Sequence, residues 1–321
     1  MKFSIIIPVY NGEKVIIRAL TSALEQTFQD HEVIVVNDGS TDNTQQVIES
    51  YINSQKHNVS IKLLNTKNNG RSSARNLGVT KSNSDFVCFL DADDEFHKEH
   101  LFELNNAIKK YNHINCFFGD SVIVRDDSSW ASYDNYLPRF LARGKFWIEK
   151  DGCIQFDQCF SDFLIEGSLI PMCSTAIRRA TFLETGGFNE NFSVSEDFEL
   201  WFRLALNHSY IAVNKVLSTV YHHTENTSHP QNKYLTLQKQ IDVTNYILNK
   251  YQNLRSTQLV LLTAKRKKLI TELLYHSSNI SPYQVFISYK KNKGYKASVT
   301  FLTCSLLIKS VIKSLIKKHN K

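Results

Sequence analysis

Over the first hundred positions the apolar residues follow two rhythms. Continuous runs mark strands buried on both faces: "FSIIIPVYN" (3–11), "EVIVVND" (32–38), "IKLLNT" (61–66) and "DFVCFLD" (85–91). Alternating with them, "EKVIIRALTSALEQ" (13–26), "TDNTQQVIESYI" (41–52), "RSSARNLGVTKS" (71–82) and "EHLFELNNAIKKY" (99–111) space their apolar positions as helices do. The alternation predicts parallel strands joined by helical crossovers, an α/β domain of doubly wound type. In such a sheet the residues just past the strand ends share one edge, where ligands bind. Here that edge collects Pro8 to Asn11, Asp38-Gly39-Ser40, Thr66 to Gly70 and Asp91-Ala92-Asp93.

The rhythm loosens after residue 120. Residues 126–160 are aromatic and polar and read as a substrate-facing insertion. "PMCSTAIRRATFLETGGFNE" (171–190) reads as a turn, a helix and a Gly-Gly stop. "SVSEDFELWFRLALN" (193–207) reads as an amphipathic helix opened by a capping box, Ser193-x-x-Glu196. From Tyr234 onward the pattern is mostly helical.

Charge divides the chain. Net charge is +7, yet nine Lys and no Asp, Glu or Arg fall in 281–321, leaving 29 basic against 31 acidic side chains before them. The body therefore gives no electrostatic reason to expect nucleic acid. In 308–318, Ile308, Val311, Ile312, Leu315 and Ile316 share one helical face opposite Lys309, Lys313, Lys317 and Lys318. That pattern suits an anionic membrane surface, and equally a docked terminal helix with its lysines in water. Six scattered cysteines without a C-x-x-C pair suit reduced thiols, no apolar stretch reaches the ~18 residues of a membrane span, and no secretory leader is read at Met1. The expected place is the cytoplasm.

The acidic run at 91–95 carries the chemistry. Asp91 and Asp93, two apart in an extended segment, point the same way, and two carboxylates suit a hard cation such as Mg²⁺ or Mn²⁺ shared with a diphosphate. A solvated acidic turn would explain Asp-x-Asp alone. Asp38, held at a strand end, has the chemistry to accept the imide N–H of a uracil ring, or to cap a turn. Arg71 and Arg75, four apart on one helix face, suit a nucleotide base or phosphate, or solvent.

Taken in order, "SIIIPVYNGEKVIIRALTSALEQT", "EVIVVNDGSTDNT", "NNGRSSARNLG", "FLDADDEF" and "GGFNENFSVSEDFELWFRLA" resemble the family 2 glycosyltransferases with the GT-A fold. The resemblance covers 3–125 closely and 170–229 more loosely. It implies a Rossmann-like, doubly wound mixed sheet over 1–229, with a nucleotide half (1–125), an acceptor half (126–229) and a mostly helical extension over 230–321. It also implies that Pro8, Tyr10, Glu13, Asp38, Arg75 and Asp91 line a donor-nucleotide pocket, usually for uridine diphosphate. Asp93 then stands as ligand to Mn²⁺ or Mg²⁺, and Asp197 as the catalytic base of an inverting transfer. His223, five before Ser228, falls where the family carries a histidine reaching the diphosphate or metal, whereas Tyr221 stands where the family commonly has Arg. The implied partners are a nucleotide-sugar donor and a glycan acceptor, lipid-linked, met at the inner membrane face during surface-polysaccharide synthesis. Two rivals stand against this. A sugar nucleotidyltransferase would want a Gly-rich basic loop after the first strand, where "PVYNGEKV" has one Gly and no Arg. A silent glycan- or nucleotide-binding module would not need Asp93 and Asp197 together.

Overall fold

In the computed structural model the described residues are 1–54, 58–125, 128–131, 146–148, 152–156, 160–167, 170–222 and 232–280. Strand β1 (Phe3–Val9) is buried along its whole length, as is β2 (His31–Asp38). With β3 (Ser60–Thr66) and β4 (Phe86–Phe89) they form a parallel set in the order β3-β2-β1-β4. Helices α1 (Ile16–Leu24), α2 (Thr44–Ser54) and α3 (Arg71–Lys81) are the crossovers. On α1, Ile16, Ala19, Leu20 and Ala23 recur at helical spacing and are all fully buried, each large side chain contributing about 1.5–3 kcal/mol.

Chain order along the sheet reverses between β1 and β4, which makes their shared C-terminal edge the switch point where such sheets bind ligands. Pro8 sharpens that edge. Ile6 accepts Leu90 N–H at 3.0 Å, so even-numbered residues of β1 face β4. The N–H that Pro8 lacks would have met Leu90 O, one residue past β4, so the ladder to β4 stops there.

Past β4 the sheet is mixed, as the family resemblance implies and the strand-and-helix alternation alone does not. A short strand β5 (Glu95–Phe96) and helix α4 (His100–Lys110) lead to β6 (Cys116–Arg125), which pairs with β7 (Ser128–Ala131). After β8 (Phe146–Ile148), β9 (Cys153–Phe156) and helix α5 (Phe160–Glu166), the chain makes a 3₁₀ turn at Met172–Ser174. Most of the expected insertion at 126–160 lies outside the described residues.

Two expectations need correcting here. The stretch read as a helix after residue 171 contains a strand, β10 (Thr175–Arg178), inserted antiparallel between β4 and β6. Only the six residues of α6 (Arg179–Glu184) are helical. Four residues rich in β-branched side chains cannot be told from a helical turn by period alone. The capping box is also absent: helix α7 (Glu196–Ala205) begins on Ser195, in a left-handed conformation (φ 58°), with no side-chain cap. Glu196 is thus the first helical residue and its carboxylate is used elsewhere. Strand β11 (Tyr210–His222) closes this part of the sheet, parallel to β6 and antiparallel to β5 and β9.

The chain divides into two units, Met1–His223 and Thr224–Lys321. In the second, α8 (Lys233–Lys250) and α9 (Ser256–Ile280) pair through Leu237, Ile241, Leu269, Ile270, Leu273 and Leu274. No described helix is long and apolar enough to cross a membrane.

Candidate active site

The loops after β1 and β2 are laced together at the rim. Asn11, at φ 51°, accepts Thr41 N–H at 2.8 Å through Oδ1, and its own N–H donates to Ser40 Oγ at 3.0 Å. Glu13 accepts both the backbone and side-chain N–H of Asn43, at 3.0 and 2.9 Å. Glu13 therefore ties α1's approach to α2's start. Pro8 is buried in β1, while Tyr10 is 50% exposed beside this lacing.

Asp38 lies at the end of β2, 3% exposed. Its two oxygens accept Asn69 N–H at 2.9 Å and Gly70 N–H at 2.8 Å. It thereby holds the loop that launches α3. Each oxygen keeps a further lone pair for a ligand donor.

From α3, Arg75 crosses beneath the rim, 1% exposed. One terminal nitrogen reaches Asp91 Oδ1 at 2.5 Å, the other Glu196 Oε1 at 3.0 Å. The structure thus draws Arg75 and Asp91 together and adds Glu196, expected from the sequence only as part of a cap. Burial pushes the Asp91 carboxyl up, and the guanidinium groups of Arg75 and Arg71 more than reverse this, holding it below the usual range. Asp93 is half-buried. Asp94 is 5% exposed and accepts Tyr221 N–H at 3.1 Å. Burial, then the charges of Asp93 and Asp91, push its carboxyl well up. Within the acidic run, then, Asp91 is paired with Arg75, while burial and its acidic neighbours raise the Asp94 carboxyl.

Two residues with no local link along the chain meet here. Arg18 of α1 donates to Asp93 O and lies over the Tyr221 ring, 3.7 Å from its centroid. The Tyr221 hydroxyl donates to Glu95 Oε2 at 3.0 Å. Tyr221 and Arg18 together brace the acidic turn from both sides. No local signal links residues two hundred positions apart on a helix and a strand. His223 lies outside the described residues. Among those described, no three His, Cys, Asp or Glu side chains are grouped as a metal cage. Asp93 offers a half-exposed carboxylate in a crowded acidic turn, the donor chemistry a hard cation uses.

Asp197 follows Glu196 at the start of α7 and is half-buried. Burial, then the Glu196 charge, push its carboxyl up to about 6, against the Phe198 N–H at 2.7 Å and the Arg75 charge. Two adjacent carboxylates are thereby separated in role. Glu196, 5% exposed, is committed to Arg75, whereas Asp197 is the more accessible of the two and its carboxyl is raised.

A sequence model described as glycosyl transferase family 2 matches residues 4–165. An uncharacterized glycosyltransferase of Rickettsia bellii is 33% identical over 249 residues, 77% of this chain and 32% of that protein. Another from Rickettsia felis is 29% identical over 316 residues, 97% of this chain and 48% of its own. The chain thus spans a third to a half of the length of these relatives. The Staphylococcus aureus poly(ribitol-phosphate) beta-N-acetylglucosaminyltransferase TarS is 43% identical over 103 residues, 32% of this chain and 18% of TarS. A crystal structure of TarS in complex with UDP-GlcNAc superposes with a TM-score of 0.58 at 22% identity, covering 97% of this chain and 82% of that one. That likeness establishes the GT-A type of fold.

Proposed function

The chain belongs to glycosyl transferase family 2, and from that premise we propose an inverting, metal-dependent transfer of a sugar from a nucleoside diphosphate donor to a glycan hydroxyl. The donor is of uridine type, in line with the UDP-GlcNAc complex of TarS, and the acceptor is lipid-linked, as in surface-polysaccharide synthesis. The carrying observation is Asp197: a solvent-reachable carboxyl with raised basicity on a helix start tied through Arg75 to the switch-point rim.

The nucleotide lies over the rim formed by Pro8, Tyr10, Asp38 and Asp91, with Glu13 and Arg75 supporting it from behind. Asp197 takes the acceptor hydroxyl's proton while that oxygen forms its bond to the anomeric carbon. The bond from that carbon to the diphosphate oxygen breaks on the opposite face, so configuration inverts. A carboxyl with a pKa near 6 is ionised at neutral pH and still a better acceptor than an ordinary aspartate. Asp93, with His223 as second ligand, would hold Mn²⁺ or Mg²⁺. When bound, the cation offsets negative charge on the departing diphosphate. The lysine-rich tail provides the peripheral contact with the inner membrane face.

Hydrolysis of a UDP-sugar with added Mn²⁺ tests this reading. Wild-type protein should turn the donor over, and Asp93→Asn should lose turnover and metal-dependent donor binding. Full activity in a chelator would sink the metal assignment. Absence of any nucleotide-sugar turnover by folded wild-type protein would favour a silent binding module.

A further inference from the structure

We propose that Arg75 and Glu196 form a positioning bridge, which fixes the first turn of α7 against the end of β4 and thereby sets the place and surroundings of Asp197. The inference rests on the base role of Asp197 proposed above. Arg75 and Glu196 themselves touch no reacting atom in it.

The bridge spans parts of the chain that local structure does not join. Arg75 comes from α3, Asp91 from the end of β4, and Glu196 lies 121 residues beyond Arg75. Both terminal nitrogens of the guanidinium are used, one on each acid, and its face lies 5.3 Å from the Phe188 ring centroid. Burying Arg75 with Glu196, and Asp91 in part, is expensive, and apolar fillers of similar volume often join two elements as stably. What ions add is a fixed orientation and a local field.

Orientation is needed here because the residue that opens α7 does not cap it. Ser195 takes a left-handed conformation and supplies no side-chain cap. A further pin on this helix is one turn and more away: Arg203 pairs with Glu199 at 2.8 Å and donates to Thr185 O and Gly187 O. Arg203 therefore secures the later part of α7, while Arg75 acts on the turn that carries Asp197.

The field has identified sources on every side of Asp197. Glu196 on the same helix and Asp91 at the end of β4 oppose its ionisation. Arg75 from α3 and the Phe198 N–H favour it. Neutralising Glu196 removes one opposing charge and leaves Arg75 in place, so Asp197 becomes more acidic.

The test is the pH dependence of kcat/KM for donor turnover by wild type and Glu196→Gln, with uridine diphosphate affinity measured by calorimetry. Gln retains the shape and an acceptor oxygen for Arg75. The acid limb should move to lower pH, while affinity stays within about twofold, because Arg75 still holds Asp91. Arg75→Lys keeps the charge but cannot reach two acids as a planar fork does. It should lower kcat by roughly 10-fold to 100-fold through displacement of Asp197, with the melting transition still cooperative. An unmoved acid limb in Glu196→Gln, alongside an inactive Asp197→Asn, would overturn the bridge alone. Near-normal transfer by Asp197→Asn would instead overturn the base assignment on which the bridge depends.

Discussion

At the scale of single residues, burial and neighbouring charge separate carboxyl groups that the sequence presents as alike. Asp91 is held below the ordinary range beside Arg75, Asp94 is driven well above it, and Asp197 sits at about 6. If Asp197 is the base, transfer should rise with pH through about 6 as its carboxyl ionises. Asp197→Asn should lower transfer by about 10²–10⁴-fold, the contribution of general-base help. Donor binding should survive. Stability gives an independent check, with its sign fixed by the pKa. A carboxyl raised above its ordinary 3.8 in the folded state destabilises the fold once ionised, as pH rises through its folded value. The helix amino end favours the charge by about 0.3–1 kcal/mol, but that benefit is already outweighed in the raised value. Thermal melting at pH 7.5 should therefore show Asp197→Asn unchanged or slightly stabilised. A marked loss of stability would assign Asp197 to capping and turn attention to how α7 begins.

Among the elements, the Gly-Gly turn before α7 offers a test of how firmly the base-bearing segment is seated. Gly186 and Gly187 both have positive φ, 89° and 66°. A Cβ at Gly186 would meet nothing within 4 Å, whereas one at Gly187 would lie 2.5 Å from Asn76 Oδ1. That oxygen accepts Phe188 N–H at 2.9 Å, and Asn76 Nδ2 donates to Phe188 O at the same distance. Gly186→Ala bears backbone strain alone. Gly187→Ala must also displace the Asn76 clasp, so its loss in urea denaturation should exceed that of Gly186→Ala, reaching more than about 1 kcal/mol. Equal losses would mean that the clasp yields freely. The same elements show what the sequence made legible. Strands β1, β2 and β4 could be read because burial on both faces leaves unbroken apolar runs, and β3, only half-buried, could be read from its short apolar run. β10 could not, because its four residues derive their strand state from β4 and β6 on either side. β11 shifts register against β6 between Ala212 and Ser218, which breaks the period-two signal that would mark it. In the site, Asp38 and Asp91 were legible as strand-end acids. The Arg75–Glu196 pair and the Arg18–Tyr221 stack were not, since both join residues far apart in sequence.

Across the whole molecule, the distribution of charge argues for a division of labour. Residues 1–280 carry 29 basic and 31 acidic side chains, and 281–321 add nine lysines with no acid. The body should thus be indifferent to an anionic surface, and any attraction should reside in the tail. Near such a surface each lysine contributes about 1 kcal/mol, falling off over a Debye length of about 10 Å at 0.1 M salt. Four of the nine, Lys309, Lys313, Lys317 and Lys318, fall in 308–318, outside the described residues, and on a helix they would lie opposite its apolar positions, so partition and electrostatic attraction would act together. Full-length protein should co-sediment with vesicles containing phosphatidylserine, and binding should weaken as salt is raised. Deleting 297–321 removes those four lysines and Lys321 with the apolar face, and should release the protein. UDP-sugar hydrolysis should be unchanged, because Asp91, Asp93 and Asp197 lie in the first unit. Vesicle binding that survives the deletion would show that the tail lysines face solvent. Loss of hydrolysis with an unchanged melting transition would instead show that the tail contributes to turnover itself.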